Sequence, residues 1–155
     1  MALDFTVVIR VRQRFGDNKS NNPILETDAP FVGVQKDFSF VCPNVDRTQD
    51  AFLLFESQGV DFQQSLLING KTIFGGIPSS TDFLTIPTGL EHPAAQLLIV
   101  AKWSGNIMII EPGVLQVNNI LRIQAGKDSE GKIDNFIIDN LVVVFKTTGQ
   151  TTNLP

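Results

Sequence analysis

Residues 134–146, DNFIIDNLVVVFK, decide how this chain is read. An acid and an amide open the stretch, Asp139-Asn140 repeats the pair, and Leu141, Val142, Val143, Val144 and Phe145 run into Lys146. The apolar run is too short to span a bilayer, and its β-branched residues favour strand over helix. It is predicted to be a long, central, late strand of an all-β domain, entered through the loop 127–131. Along a strand the side chains alternate, so Leu141, Val143 and Phe145 share one face and Val142 and Val144 the other. Only one face can meet an opposing sheet. The second apolar set is therefore expected to be covered by a loop or by another copy of the chain.

The preceding sequence repeats the same theme in shorter pieces. Residues 5–14 read as a first strand with Phe5, Val7, Ile9 and Val11 on one face and Arg10, Arg12 and Arg14 on the other. The arginine face is either solvated or a small patch for an anion or a partner. Segments 31–34 and 38–41 read as short strands joined around Lys36-Asp37, and 51–56 as another short strand. Asn69-Gly70, between apolar residues 65–68 and 71–74, is a hairpin signal, because both central positions of a type I′ turn need positive φ. Residues 97–103 form a clear strand, which Ser104-Gly105-Asn106 is expected to turn into 107–110. Strands at 114–117 and 120–125 follow. Residues 79–95 are the longest poorly patterned stretch and hence a candidate functional loop. About nine short strands with regular turns predict an all-β fold, a two-sheet antiparallel β-sandwich that is jelly-roll-like, with a closed barrel as the alternative. One domain is expected over 1–146, with a polar tail at 147–155.

Composition bounds the function. With 155 residues the chain is long enough for one good core. A net charge of -4 disfavours nucleic acid, which calls for concentrated positive charge. No membrane partner is expected either. Asp4 and the arginines interrupt the first apolar run, so no signal peptide is expected. A cytoplasmic location follows, or export without a recognisable signal. Cys42, the only cysteine, sits among Phe40, Val41 and Pro43 and is expected to be a small buried hydrophobe. With one histidine, His92, and one thiol, the side chains cannot assemble the usual zinc sets. There is no Gly-x-Ser-x-Gly elbow, no Gly-x-Gly-x-x-Gly and no phosphate-binding loop, so no enzyme is expected.

The residues 51–62, AFLLFESQGVDF, are followed by Ile68-Asn69-Gly70-Lys71, Ile77-Pro78 and Trp103. Further on come Gly113-Val114-Leu115, the segment 119–123 and the final strand. This order of turns and apolar runs, over roughly residues 51–146, resembles the galactose-binding-like β-sandwich (jelly-roll) domains. The resemblance implies a non-catalytic module that commonly binds carbohydrate through loops at one end and often holds a structural calcium. Other members of such a family bind protein or lipid, or serve as scaffolding. For a sugar, which needs an aromatic ring flanked by hydrogen-bonding groups, the candidates are Trp103, Asn106, His92 and Asp50. For calcium, which takes oxygen ligands, they are Asp128, Asp134 and Asp139, with Asp50 or Asn118 from neighbouring loops. Acids that merely end turns and cap a strand are the alternative. The other expected role is a self-associating domain, a homo-oligomer joined through the surplus apolar face of the last strand.

Overall fold

The apolar run at the end of the chain forms the longest strand, Phe136–Thr147, and its neighbours on both sides build the larger of two sheets. The structure is a computed structural model that describes residues 2–17, 29–79, 81–85, 97–101 and 103–149. Its strands in chain order are β1 (Ala2–Ile9), β2 (Gln13–Phe15), β3 (Phe31–Gly33), β4 (Gln35–Val41), β5 (Ala51–Gln58) and β6 (Ser65–Ile68). They continue with β7 (Lys71–Thr72), β8 (Thr81–Thr85), β9 (Leu97–Ala101), β10 (Trp103–Ile110), β11 (Asn118–Gln124) and β12 (Phe136–Thr147). No described helix is long and apolar enough to cross a membrane.

The fold is all-β, a sandwich of two sheets, as expected. The large sheet runs β10-β5-β12-β2-β3, and β1 also pairs with β12. Since β5 occupies one side of β12, β1 and β2 lie end to end along the other, with Ile9 opposite Leu141 and Gln13 opposite Ile138. The small sheet runs β4-β11-β6-β7. Among the described residues, all strand pairs are antiparallel except β2 with β3. β8 and β9 form a hairpin of their own. Between the two large layers lies the core, where Phe15, Leu53, Leu66, Ile110, Leu121 and Phe136 are essentially inaccessible.

The Asn-Gly hairpin forms as read. Ile68 pairs with Lys71, and both Asn69 (φ 51°) and Gly70 (φ 77°) take the left-handed conformation that a type I′ turn demands. Asn69 does more than turn. Its amide nitrogen donates to Val114 O and to Asn119 Oδ1, both at 2.9 Å, while its Oδ1 accepts from Ile120 N. Cys42 is buried, and that burial pushes its thiol pKa up to about 12, which makes it an inert hydrophobe.

Several boundaries differ from the sequence reading. The first strand breaks at Arg10, and a register shift between Val7 and Ile9 turns Ile9 into the core while Phe5 stays 63% exposed on the opposite side. A bulge of this kind adds a residue to one strand, so the alternation changes parity across it. Lys36 and Asp37 lie within β4, and the chain turns between β3 and β4 at Val34. The expected turn at 104–106 is absent: β10 runs straight through Gly105, which pairs with Glu56 in an unbroken register. β5 extends to Gln58 and is central, not short. β12 runs one residue past Lys146, to Thr147, and Thr148 N donates to Asn44 O. Of the stretch 79–95, residues 80 and 86–95 lie outside the described residues, as do 96 and 150–155.

Candidate functional site

The outer faces of the two sheets differ in chemistry. On the small sheet, β11 turns Leu121 and Ile123 inward, and it presents Asn118, Ile120, Arg122 and Gln124 to solvent. Their register partners on β4 are Val41, Ser39, Asp37 and Gln35. Arg122 donates through Nε and Nη2 to the two oxygens of Asp37, each at 2.7 Å, and this pairing holds the Asp37 carboxyl below its ordinary pKa. That face is mixed, with the Arg122–Asp37 pair and several amides beside exposed Ile120 and Val41.

The large sheet is different. Register alignment across β1, β12, β5 and β10 puts Phe5, Val144, Phe52 and Ile109 in one row. Val7, Val142, Leu54 and Ile107 form the next row. Neither row contains a charge or a hydrogen-bonding side chain. Phe5 is 63% exposed, Phe52 40%, Ile107 72% and Ile109 59%, and the remaining four are half-buried. Beyond the second row the chemistry turns polar: Gly105, Glu56 and Asp139 align, and the Asn140 side-chain amide donates to Glu56 Oε2 at 2.7 Å. Lys146, donating to Gln49 Oε1 at 3.0 Å, borders the other end. A contiguous apolar patch with a polar rim is the usual mark of a docking surface.

β12 carries its own bulge where the apolar rows end. Asn140 has φ 50°, and the β5 register slips between Asp139 and Val142. Phe136 and Ile138 face the core before the bulge, and Leu141, Val143 and Phe145 face it afterwards. Ile137 therefore lies on the outer side, packed with Ala29 and Trp103. Arg12 enters here from the gap between β1 and β2. Its Nε is 3.4 Å from Asp139 Oδ2, and its guanidinium lies 5.3 Å from the Trp103 ring centroid. Arg14 lies similarly over Phe31, at 5.4 Å. Two of the three alternating arginines are thus engaged within the chain.

No protein-family model and no curated protein matches the chain. Two solved structures are similar to it at 12% identity and a TM-score of 0.45: BuGH86wt in complex with neoagarooctaose, and a variant of BuGH86 in the same complex. They cover 96% and 98% of this chain, which spans 20% of the length of each of those chains.

The residues singled out from sequence are dispersed. Trp103 opens β10 on the outer face of the large sheet, half-buried beneath Arg12, neither on an end loop nor between the sheets. Asn106 points to the opposite side of the same strand, where its amide nitrogen donates to Ser57 Oγ and Ser104 O, each at 3.0 Å. Asp50 is exposed just before β5, whereas Trp103 pairs with Gln58 at the far end of that strand. At the rise of an extended chain, roughly 3.3 Å per residue, the two cannot share one ligand. His92 lies outside the described residues.

The acids are equally separate. Asp128 Oδ1 accepts from Glu130 N and Lys132 N, each at 2.8 Å, and so closes its own turn. Asp139 pairs with Arg12 on the outer face. Asp134 is buried; its Oδ2 accepts from Asp61 N at 3.1 Å and from Gln64 Nε2 at 2.7 Å, while Gln64 Oε1 accepts from Gly126 N at 2.6 Å. Burial, with the charge of Asp61 nearby, raises the Asp134 carboxyl to about 7. The sequence grouped Asp128, Asp134 and Asp139 as one cation site. The structure gives each a different job, and among the described residues no group of three or more His, Cys, Asp or Glu side chains is placed to hold a metal ion.

Sequence reading placed Phe74 in the second strand of the Asn-Gly hairpin and did not single it out, whereas β7 ends at Thr72. Phe74 is 92% exposed and stands beside Gly75 and Gly76 at the mouth of a cleft of about 530 Å³ along β10, lined also by Pro78, Asn106 and Ile107. The available signal was an aromatic residue set directly before Gly-Gly.

Proposed function

We propose that the chain is a non-catalytic binding module whose working surface is the outer face of the large sheet, and that its partner is a second copy of itself. The two apolar rows across β1, β12, β5 and β10 carry this reading. Burying an exposed aliphatic or phenyl side chain contributes about 1.5–3 kcal/mol, so a few per subunit offset much of the entropy lost on association. A single apolar surface that recurs on every copy closes most simply as a symmetric dimer. Light scattering after size exclusion at tens of micromolar is expected to give a multimer mass, and the Val142→Glu/Val144→Glu variant a monomer. A wild-type monomer at that concentration would end the self-association reading.

Carbohydrate binding is the second reading, favoured by the cleft beside Phe74. It combines an exposed ring with the Asn106 amide, the pairing a sugar face and its hydroxyls require. Trp103, under Arg12, is not the platform in this version. Calorimetric titration with neutral oligosaccharides is expected to show binding that Phe74→Ala abolishes. Identical heats for the two proteins would remove the cleft from consideration.

A further inference from the structure

We infer that β10 is a strand-addition site, and that its occupant is β10 of a second copy, paired antiparallel across a two-fold axis so that two large sheets continue into one. This rests on the self-association proposed above and names the surface that starts it. β10 pairs with β5 over its whole length without a register shift. Among the described residues, no strand pairs with its other side over residues 104–110. Regular, unpaired edges offer a ladder of donors and acceptors to any extended chain, and proteins normally blunt them with charge, proline, bulges or brevity.

The other sandwich edges show those devices. β3 has three residues and β7 has two, one of them Lys71. β4 carries Lys36 and Asp37. β1 carries Asp4 and a register shift, and Thr6 Oγ1 reaches across to Val41 O. Residues 104–110, SGNIMII, have neither charge nor proline. The neighbouring loop takes none of the β10 ladder among the described residues: a cleft of about 530 Å³ lies between residues 74–78 and residues 105–109, and Ile77 N is bonded to Gln64 O instead.

Three observations choose a second copy as occupant. Set antiparallel about Ile107, a second β10 extends the row of Val7, Val142, Leu54 and Ile107 with its own Ile107, the aliphatic side chain that an added strand needs there. Copies of a chain with net charge -4 repel, and an uncharged strand brings no like charges into register. A register centred on Ile107 also sets Ile109 of each copy opposite Gly105 of the other. A Cβ at Gly105 would meet nothing within 4 Å, so there is space for the larger side chain to cover.

Cysteine cross-linking tests the register. Directly opposed residues of an antiparallel pair lie about 4.5–5.5 Å apart, within disulfide reach. Ile107→Cys under mild oxidation is expected to form a covalent dimer about tenfold faster than Phe5→Cys, which sits on the far side of the same sheet face. Ile107 is 72% exposed, so the substitution leaves folding intact, and buried Cys42 does not compete. Faster cross-linking at Phe5→Cys or Phe52→Cys in a multimeric protein would overturn edge pairing and leave face-to-face association standing. A monomeric wild type would overturn both.

Discussion

Phe136→Ala is expected to lower unfolding stability by about 3–5 kcal/mol, the range for deleting a fully buried phenyl ring. Phe136 and Phe15 are both inaccessible, pair in register between β12 and β2, and stack with ring centroids 5.3 Å apart and planes 13° from parallel. Phe38 adds a tilted contact to Phe15 at 6.4 Å. An aromatic pair adds about 0.5–1.5 kcal/mol beyond area burial, so Phe15→Ala in the Phe136→Ala background should cost less than it does alone. The loss is a large share of the roughly 5–15 kcal/mol that a domain possesses. Phe74→Ala is the control: with its ring 92% exposed, it should change stability by less than about 0.5 kcal/mol. Urea unfolding of the variants reads both quantities. Equal effects at Phe136 and Phe74 would contradict the core assignment.

The second large effect is a pH dependence centred on Asp134. Its folded-state pKa of about 7 lies above its ordinary value of 3.8. Between those values the folded chain keeps a proton that the unfolded chain has released. The carboxyl's contribution is therefore fully present below pH 3.8 and is lost as pH rises through about 7. The fall should amount to about 2–4 kcal/mol, from 1.36 kcal/mol per pKa unit reduced for water at the rim of the site. Asp134→Asn keeps an oxygen that can accept from Asp61 N and Gln64 Nε2 and carries no charge to bury. The variant should match the wild type below about pH 4 and exceed it by about 2–4 kcal/mol above pH 8. Wild-type stability that stays level or rises between pH 5 and 8, with the same slope in Asp134→Asn, would show that this carboxyl is not the group responsible.

The fold was readable because its signals are local. Alternation of apolar residues and the Asn-Gly pair describe their own neighbourhood, and β12, β11 and the β6–β7 hairpin formed close to where they were read. The two faces of β12 after its bulge were also legible, with Leu141, Val143 and Phe145 buried and Val142 and Val144 outside. The candidate sites were not. Trp103, Asp139 and Arg12 meet only because β10, β12 and the gap between β1 and β2 converge at one place on the large sheet. Nothing within ten residues of any of them announces the others.

What the sequence alone determined, then, is where most of the strands lie, and that the last of them has a surplus apolar face. It misplaced a strand at 114–117, where the chain turns, and a turn at 104–106, where β10 continues. Backbone preference and side-chain period are properties of a short window, so they survive without tertiary context. Tertiary structure decided where a bulge exchanges the two faces of a strand. The bulge at Asn140 moves the core from Phe136 and Ile138 to Leu141 and Val143, and the shift after Val7 sends Phe5 and Ile9 to opposite sides. It also separated Asp128, Asp134 and Asp139, three acids close in sequence, into a turn, a buried carboxyl and an ion pair. A side chain's direction in a sheet depends on the count of residues along the paired ladder, and one inserted residue reverses it for everything downstream.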